Sequence, residues 1–445
     1  MRVAIIGAGI AGLAVAHRLA DHAEVTLFEE ADYFGGHTHT VDVSLPTPGG
    51  LVTHGVDTGF LVFNERTYPA LIQLFSDLGV GTAKSDMSFS VQVAGAISGR
   101  KLEWSGSSLS TVFAQRRNLF NLQFLGMLRD LMRFNAITTQ IAESGADAAM
   151  QQPLSEFLRD QGFGSAFRDW YFLPMMGCIW SCPTKQMLQF PVSTMVRFCH
   201  NHGLIQVRNR PQGWTVRGGA RHYVERITAR LVDKRLRTPV RQVDRLGHDQ
   251  GDGVRVSTDQ GTERFDKVVL ATHSDQSLAI LRDASLAERS ALGAIKYHPN
   301  RAVLHTDATV LPTRKTAWAA WNYESATPAI TGAGSAVGHG QQVCLHYLLN
   351  MLQPLPWSQP VLVSLNPVRE IPSSLVMGEY AYTHPVFDIA ASRAQRQLQT
   401  IQGQRDTYFC GAWMGYGFHE DGLKSGQSVA QHILDTCAGA HRGQQ

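Results

Sequence analysis

The first apolar run, Arg2–Ile6, is short and β-branched, and it ends in Gly7-Ala8-Gly9-Ile10-Ala11-Gly12-Leu13. Behind the glycines the spacing of Ala14, Ala16 and Leu19 is helical, and a second short run, Glu24–Phe28, reads as another strand. The predicted order is strand, glycine turn, helix, strand. Further along, an amphipathic helix is predicted over 68–78, closed by Gly79. Apolar strands are predicted at 265–271 and 407–413, and a last helix from about Lys424 to Leu434. Residues 84–208 and 296–388 follow neither rhythm and are rich in aromatic residues and methionine.

The first forty residues carry a chemistry. Gly7 permits a tight turn, Gly9 lets backbone approach a pyrophosphate, and Gly12 lets the helix lie close to the strand, with Ala11 between them. The N-terminus of that helix offers unpaired N–H groups and partial positive charge to phosphates. Glu29 stands 22 residues beyond Gly7, with Glu30 beside it, where an acid accepts hydrogen bonds from a ribose and disfavours a 2′-phosphate. Strand, fingerprint, helix, strand and acid stand in register, so a dinucleotide site is expected. The fold class is α/β, with a Rossmann-like domain.

Phe34-Gly35-Gly36-His37-Thr38 follows and resembles the Gly-Gly-Arg element of the flavin-containing amine oxidase superfamily, with His37 where arginine is usual. The resemblance continues at Asp57-Thr58-Gly59-Phe60, at Thr238-Pro239-Val240, at the strand running to Ala271, and at Gly411 to Gly422 and Leu423. It implies noncovalent FAD, with Gly36 and His37 at the pyrophosphate, Gly59 and Phe60 beside the ring, and Val240 at the adenine. Ala271, Gly411, Gly422 and Leu423 complete the expected frame. Residues 376–388, where covalent relatives attach the ring, hold no cysteine. Because imidazole is a weaker phosphate partner than guanidinium, backbone N–H groups must carry more of the binding. The segments 34–40, 56–64, 321–323, 346–354 and 411–422 resemble one branch in particular, the predicted FAD-binding oxidoreductases associated with cyclopropane-fatty-acid synthases.

The expected FAD domain is discontinuous, comprising 1–83, 209–295 and 389–445, with an amine-oxidase-like α+β substrate lobe inserted as 84–208 and 296–388. In that lobe Trp170, Tyr171, Phe172, Met175, Met176, Trp180, Trp318, Trp321, Tyr323, Tyr347 and Met351 are candidates for an apolar pocket, most of them for plain core. Just before the last helix, His419 is the candidate base, with Glu420 or Asp421 orienting it. Gly332 to Gly338 mimics a second fingerprint, but proline precedes it and no helix start follows, so a loop is expected. With one dinucleotide site, electrons leave to oxygen, a quinone or a carrier protein.

Charge and composition remove several classes. Hydrophobic residues at 44% and charged residues at 17% are globular values, and no apolar run spans a bilayer. The net charge of +3 gives no sign of a nucleic-acid partner. Six scattered cysteines read as reduced thiols, and neither Cys178 with Cys182 nor His37 with His39 has the spacing of a metal site. No serine sits in a G-x-S-x-G elbow. The apolar start resembles a signal peptide, but its glycine spacing argues for a folded strand, so a cytoplasmic location is expected. Phe120, Phe124, Met127, Leu128, Leu131 and Phe134 recur at helical spacing beside Arg116, Arg117, Arg129 and Arg133. This basic amphipathic stretch, 116–134, reads as a surface helix, with peripheral membrane contact as the sharper alternative.

The leading expectation is hydride removal from a long-chain acyl or similar lipid group. The alternatives are amine oxidation, redox-neutral double-bond isomerisation, and a non-catalytic flavoprotein partner of a lipid-modifying enzyme.

Overall fold

The computed structural model describes residues 1–146, 150–206, 210–247, 252–325 and 343–442. The loop expected at 332–338 lies outside the described residues. Five parallel strands form one sheet in the order Asp233–Arg235, Glu24–Phe28, Arg2–Ile6, Lys267–Leu270, Thr407–Phe409. Every one of the four apolar positions after Arg2 is buried, as both faces of a parallel sheet require. The helix Ile10–Leu19 packs against the long C-terminal helix, His419–Arg442.

The close approach of the first helix to the strand turn and to the last helix explains three small residues. A Cβ at Gly12 would lie 1.9 Å from the Gly7 carbonyl oxygen, one at Gly422 would lie 2.7 Å from Ile10 Cγ2, and one at Gly426 would lie 2.2 Å from the Ala11 carbonyl oxygen. The last helix begins five residues before the predicted Lys424. The predicted strand 265–271 is in fact Lys267–Leu270, because Phe265 ends an antiparallel strand, Gly261–Phe265, of a separate three-stranded sheet.

A second body of structure is a seven-stranded sheet in the order Val376–Val386, Lys296–His305, Leu362–Leu365, Cys344–Leu348, Trp321–Glu324, Phe89–Ile97, Arg100–Ser105. Helices Leu122–Glu143, Leu173–Trp180 and Val192–Asn201 join it in one core, which includes Trp104, Phe124, Phe134, Phe172 and Trp180. Buried Asp57 ties the two bodies. It accepts from the Ala220 N–H at 2.9 Å and from Gln353 Nε2 at 2.7 Å, while burial pushes its carboxyl up to about 6. Among the described residues no helix is long and apolar enough to cross a membrane. The architecture is the α/β class read from the sequence.

Candidate functional site

One cavity of about 860 Å³ runs between the parallel sheet and the seven-stranded sheet. Its first half has walls of backbone. Gly7, Gly9, Ala11, Glu29, Glu30, Gly36, His37, Gly59, Phe60, Val240, Ala271 and Gly411 all line it, as does His419. Gly9 is the N-cap of Ile10–Leu19, and no side chain caps that helix, so its first N–H groups face the cavity. A Cβ built on Gly9 meets no protein atom within 4 Å, which leaves the cavity as the space it would fill. Glu29 is held in place by the Ala8 and Ala31 N–H groups, at 2.8 and 2.9 Å. The Thr238 N–H donates to the Glu29 carbonyl, setting Thr238, Pro239 and Val240 along the same wall.

Five predicted residues pack or cap instead of lining the cavity, and Gly12 is one, holding helix to strand. Gly422 sets the last helix against Ile10, and Leu423 is fully buried in the core beneath. Glu420, expected to orient His419, turns away: its two oxygens accept from the Ala70 and Leu71 N–H groups, each at 2.9 Å, and Lys424 pairs with it. Asp421, the other expected partner and also off the cavity wall, accepts from the Tyr416 and Phe418 N–H groups, and burial raises it to about 6. The partners that orient His419 are Tyr223 and Thr38, whose hydroxyl oxygens lie 2.7 and 3.0 Å from Nε2. Its ring stacks on Phe60 with centroids 3.8 Å apart.

The middle of the cavity holds histidines that motif reading missed. His273 and His384 line it beside His37 and His419, with ring centroids 6.3 and 5.4 Å from His37. Burial pushes all four down, His37 and His273 to about 4 and His384 and His419 to about 3, and each neighbouring imidazole adds to the effect. They are neutral at ordinary pH. His37 Nε2 is shut off from solvent and has no protein partner, an orphan ring nitrogen where the resemblance puts the pyrophosphate. No motif marks His273 or His384, although the Thr272-His273 pair directly follows a predicted strand.

The second half of the cavity has walls of side chain. Of the eleven aromatic and methionine candidates, Met175, Trp180, Trp321 and Tyr347 line it. Trp170, Tyr171, Phe172, Met176 and Tyr323 are core, while Trp318 and Met351 pack on an outer cluster. Phe89, Ile179, Phe198 and Leu204 join the wall. Glu29 and Glu30, in the other half, are the acids among the lining residues.

The glycine cradle, the uncapped helix N-terminus and the orphan imidazole fit FAD. The family model for flavin-containing amine oxidoreductases matches residues 10–348. AofH of Mycobacterium tuberculosis, whose name places it among the flavin-containing monoamine oxidases, is 27% identical over 298 residues, 64% of this chain and 59% of that protein. The carotenoid phi-ring synthase of Streptomyces griseus is 28% identical over 296 residues, 61% of this chain and 52% of that one. The alignments thus span between half and six-tenths of those relatives. Among solved structures, the CLA-producing fatty acid isomerase from P. acnes superposes with a TM-score of 0.64 at 16% identity, covering 97% of this chain and 98% of the other. Cyclohexylamine oxidase from Brevibacterium oxydans gives 0.65 at 16% identity, covering 98% and 99%. The chain belongs to the flavin-containing amine oxidoreductase family.

Proposed function

We propose that the substrate is a long-chain acyl or comparable neutral lipid group, oxidised at a C–H bond. The supporting observation is the chemistry of the second half of the cavity, where Phe89, Met175, Ile179, Trp180, Phe198 and Trp321 form an apolar wall and, among the described residues, no carboxylate lines it. An ammonium buried there has no counter-ion, and an unpaired buried charge is costly. A methylene chain buries about 0.8 kcal/mol per CH₂ against such a wall. Bound FAD supplies the hydride acceptor, and its electrons pass on to oxygen, a quinone or a carrier protein. The hydride leaves one carbon and a proton leaves its neighbour, forming a double bond.

His419 is the proposed acceptor of that proton. It stands at the cavity wall, neutral, with its ring fixed by Phe60, Tyr223 and Thr38. A second reading, in which the hydride returns to another carbon and a double bond only moves, is favoured by the likeness in fold to a fatty acid isomerase.

The test is anaerobic mixing of the holoprotein with an extracted lipid pool and with a panel of amines, following the flavin absorbance. Bleaching by lipid with a new double bond in the product supports oxidation. A moved double bond with no acceptor consumed supports isomerisation, and bleaching by amines alone overturns both. General base catalysis contributes about 10²- to 10⁴-fold, so His419→Ala is expected to slow bleaching by at least ~100-fold at unchanged flavin content. A change within a few-fold makes His419 part of the wall only.

A further inference from the structure

Several exposed apolar side chains, Leu51, Val232 and Leu286 among them, stand singly, but one group does not. Among the described residues, Leu109, Leu119, Phe120, Leu122 and Leu125 are exposed within a stretch of seventeen positions, with Leu109 at 79%, Phe120 at 88% and Leu122 at 84%. Single exposed leucines need no explanation, but a contiguous group marks an interaction site. Three short pieces present it: the helix Leu109–Val112, the turn Arg116–Phe120 and the first turn of Leu122–Glu143. Each is held firmly from below. Phe113 and Trp104 pack on Phe124, and Gln115 Nε2 and the Arg117 guanidinium donate to the Lys101 carbonyl at 3.1 and 3.0 Å. The side chains above therefore protrude from a rigid base.

The charges around them have one sign. Arg116 and Arg117 lie between Leu109 and Leu119, and Arg314 and Lys315 sit on the turn that packs against Leu109–Val112. All four are exposed, and among the described residues none is paired with a carboxylate. Glu103, on the strand beneath, is buried, pairs with Lys101 and accepts from the Thr313 and Arg314 N–H groups. The same wall reaches the cavity: Phe124 packs on Trp104, and Trp104 packs on Phe89, which lines the apolar half.

We infer that this corner, Leu109, Leu119, Phe120, Leu122 and Leu125 inside a rim of Arg116, Arg117, Arg314 and Lys315, docks on an anionic phospholipid bilayer. The apolar tips enter the acyl boundary while the guanidinium and ammonium groups meet the headgroups. A second copy of the chain fits poorly, because a two-fold contact of the patch with itself would set four cations against four. The face differs from the one the helical pattern suggests. Arg129 pairs with Asp130, and Arg133 lies over the Phe163 ring and donates to the Gln161 carbonyl, so neither belongs to the rim. The proposal extends the lipid reading of the cavity, placing its mouth wall at a lipid surface, yet the docking face stands without it.

The experiment is vesicle sedimentation of the holoprotein with phosphatidylglycerol-containing and pure phosphatidylcholine vesicles at low and high salt. The expected result is salt-sensitive pelleting with the anionic vesicles. Arg116→Gln with Arg117→Gln is expected to weaken partition by roughly 25-fold, about fivefold for each charge lost. Phe120→Ser with Leu122→Ser is expected to abolish it, and Arg129→Gln with Arg133→Gln to leave it within twofold. Each variant must keep its flavin and melting temperature, and bleaching by detergent-dispersed lipid reads the cavity separately. Wild type that stays in the supernatant overturns the docking face even if lipid bleaches the flavin. So does a wild-type dimer that Leu122→Ser dissolves, or equal pelleting of the charge variant. Vesicle binding without bleaching overturns the substrate reading and leaves docking supported.

Discussion

The two halves of the cavity use different materials. Around Gly7, Gly9, Gly36 and Thr238 the wall is backbone, and its chemistry is N–H groups and a helix terminus. Around Phe89, Met175, Trp180, Trp321 and Tyr347 the wall is side chain, supplied by a sheet and by helices far apart in sequence. A backbone wall is specified by local residues, and a side chain added to it, as at Gly9, enters the cavity itself. A side-chain wall can change one residue at a time without disturbing the turn geometry. The first fixes a cofactor for a whole family, and the second lets relatives with one fold carry names as different as oxidase, isomerase and synthase.

The sharpest way to break this contrast is Gly9→Leu. The backbone there (φ −69°) suits any L-residue, and the added Cβ meets no protein atom. The apoprotein is therefore expected to fold and melt as wild type. The leucine fills the space of the pyrophosphate, so FAD affinity is expected to fall by more than ~100-fold, over about 2.7 kcal/mol. Titration of FAD into apoprotein, followed by flavin fluorescence, reads this directly. A Gly9→Leu protein that purifies yellow would mean the dinucleotide lies elsewhere.

The junction of the halves predicts acid lability. Buried His37, His273, His384 and His419 have folded pKa values of about 3 to 4 against an unfolded value of 6.5. The unfolded chain then binds more protons in that window, so their contribution to stability is whole above pH 6.5 and is lost as pH falls toward 4. Asp57 and Asp421, raised to about 6, act the other way: folding favours their protonated form, which gains as pH falls through 6. Four histidines against two carboxyls give a net loss. The apoprotein's melting temperature is expected to drop by roughly 5 °C between pH 7 and pH 5, at about 1 °C per kcal/mol for this length. A flat or rising profile in calorimetry would show that the imidazoles are not neutral and buried.

A smaller effect tests a side-chain anchor in the backbone half. Glu29→Ala removes a charged acceptor held by the Ala8 and Ala31 N–H groups. FAD binding is expected to weaken by about 1.5–3 kcal/mol, the scale of hydrogen bonds to a charged group. Unchanged affinity by equilibrium dialysis would remove Glu29 from the site.

Legibility followed the same division. Gly7, Gly9, Gly12 and Glu29 could be read because their roles come from a strand, a turn and a helix that adjoin in sequence. Val240 and Ala271 were reached through separate motifs, one opening an antiparallel strand and one just after a parallel strand, and both line the cavity. His273 and His384 were not, because what brings them to His37 is the folding of Val376–Val386 against Lys296–His305, a pairing that no local pattern encodes. The candidates of the apolar half divided into wall and core for a similar reason. On Trp321–Glu324 alternate side chains face opposite sides of the sheet, so Trp321 and Tyr323 share a face yet differ in how near the cavity they stand. Glu420 and Asp421 were misread as partners of the adjacent His419, since adjacency in a motif does not reveal which distant backbone a carboxylate meets.

That misreading supplies the finest test of the contrast. Glu420 accepts from the Ala70 and Leu71 N–H groups at the start of Pro69–Asp77, a helix with no side-chain cap of its own. It caps that helix from 350 residues away and joins the last helix to it. Glu420→Gln keeps the shape and one acceptor oxygen but loses the charge and the second acceptor. Loss of a cap costs about 0.5–2 kcal/mol, so the apoprotein's urea midpoint is expected to fall by an amount equivalent to about 1 kcal/mol. The rate of anaerobic bleaching, by contrast, is expected to stay within a few-fold of wild type, because Tyr223 and Thr38 still hold His419. If Glu420→Gln instead slows bleaching as much as His419→Ala does, at unchanged urea stability, the carboxylate acts through the histidine, and the assignment of Glu420 to architecture fails.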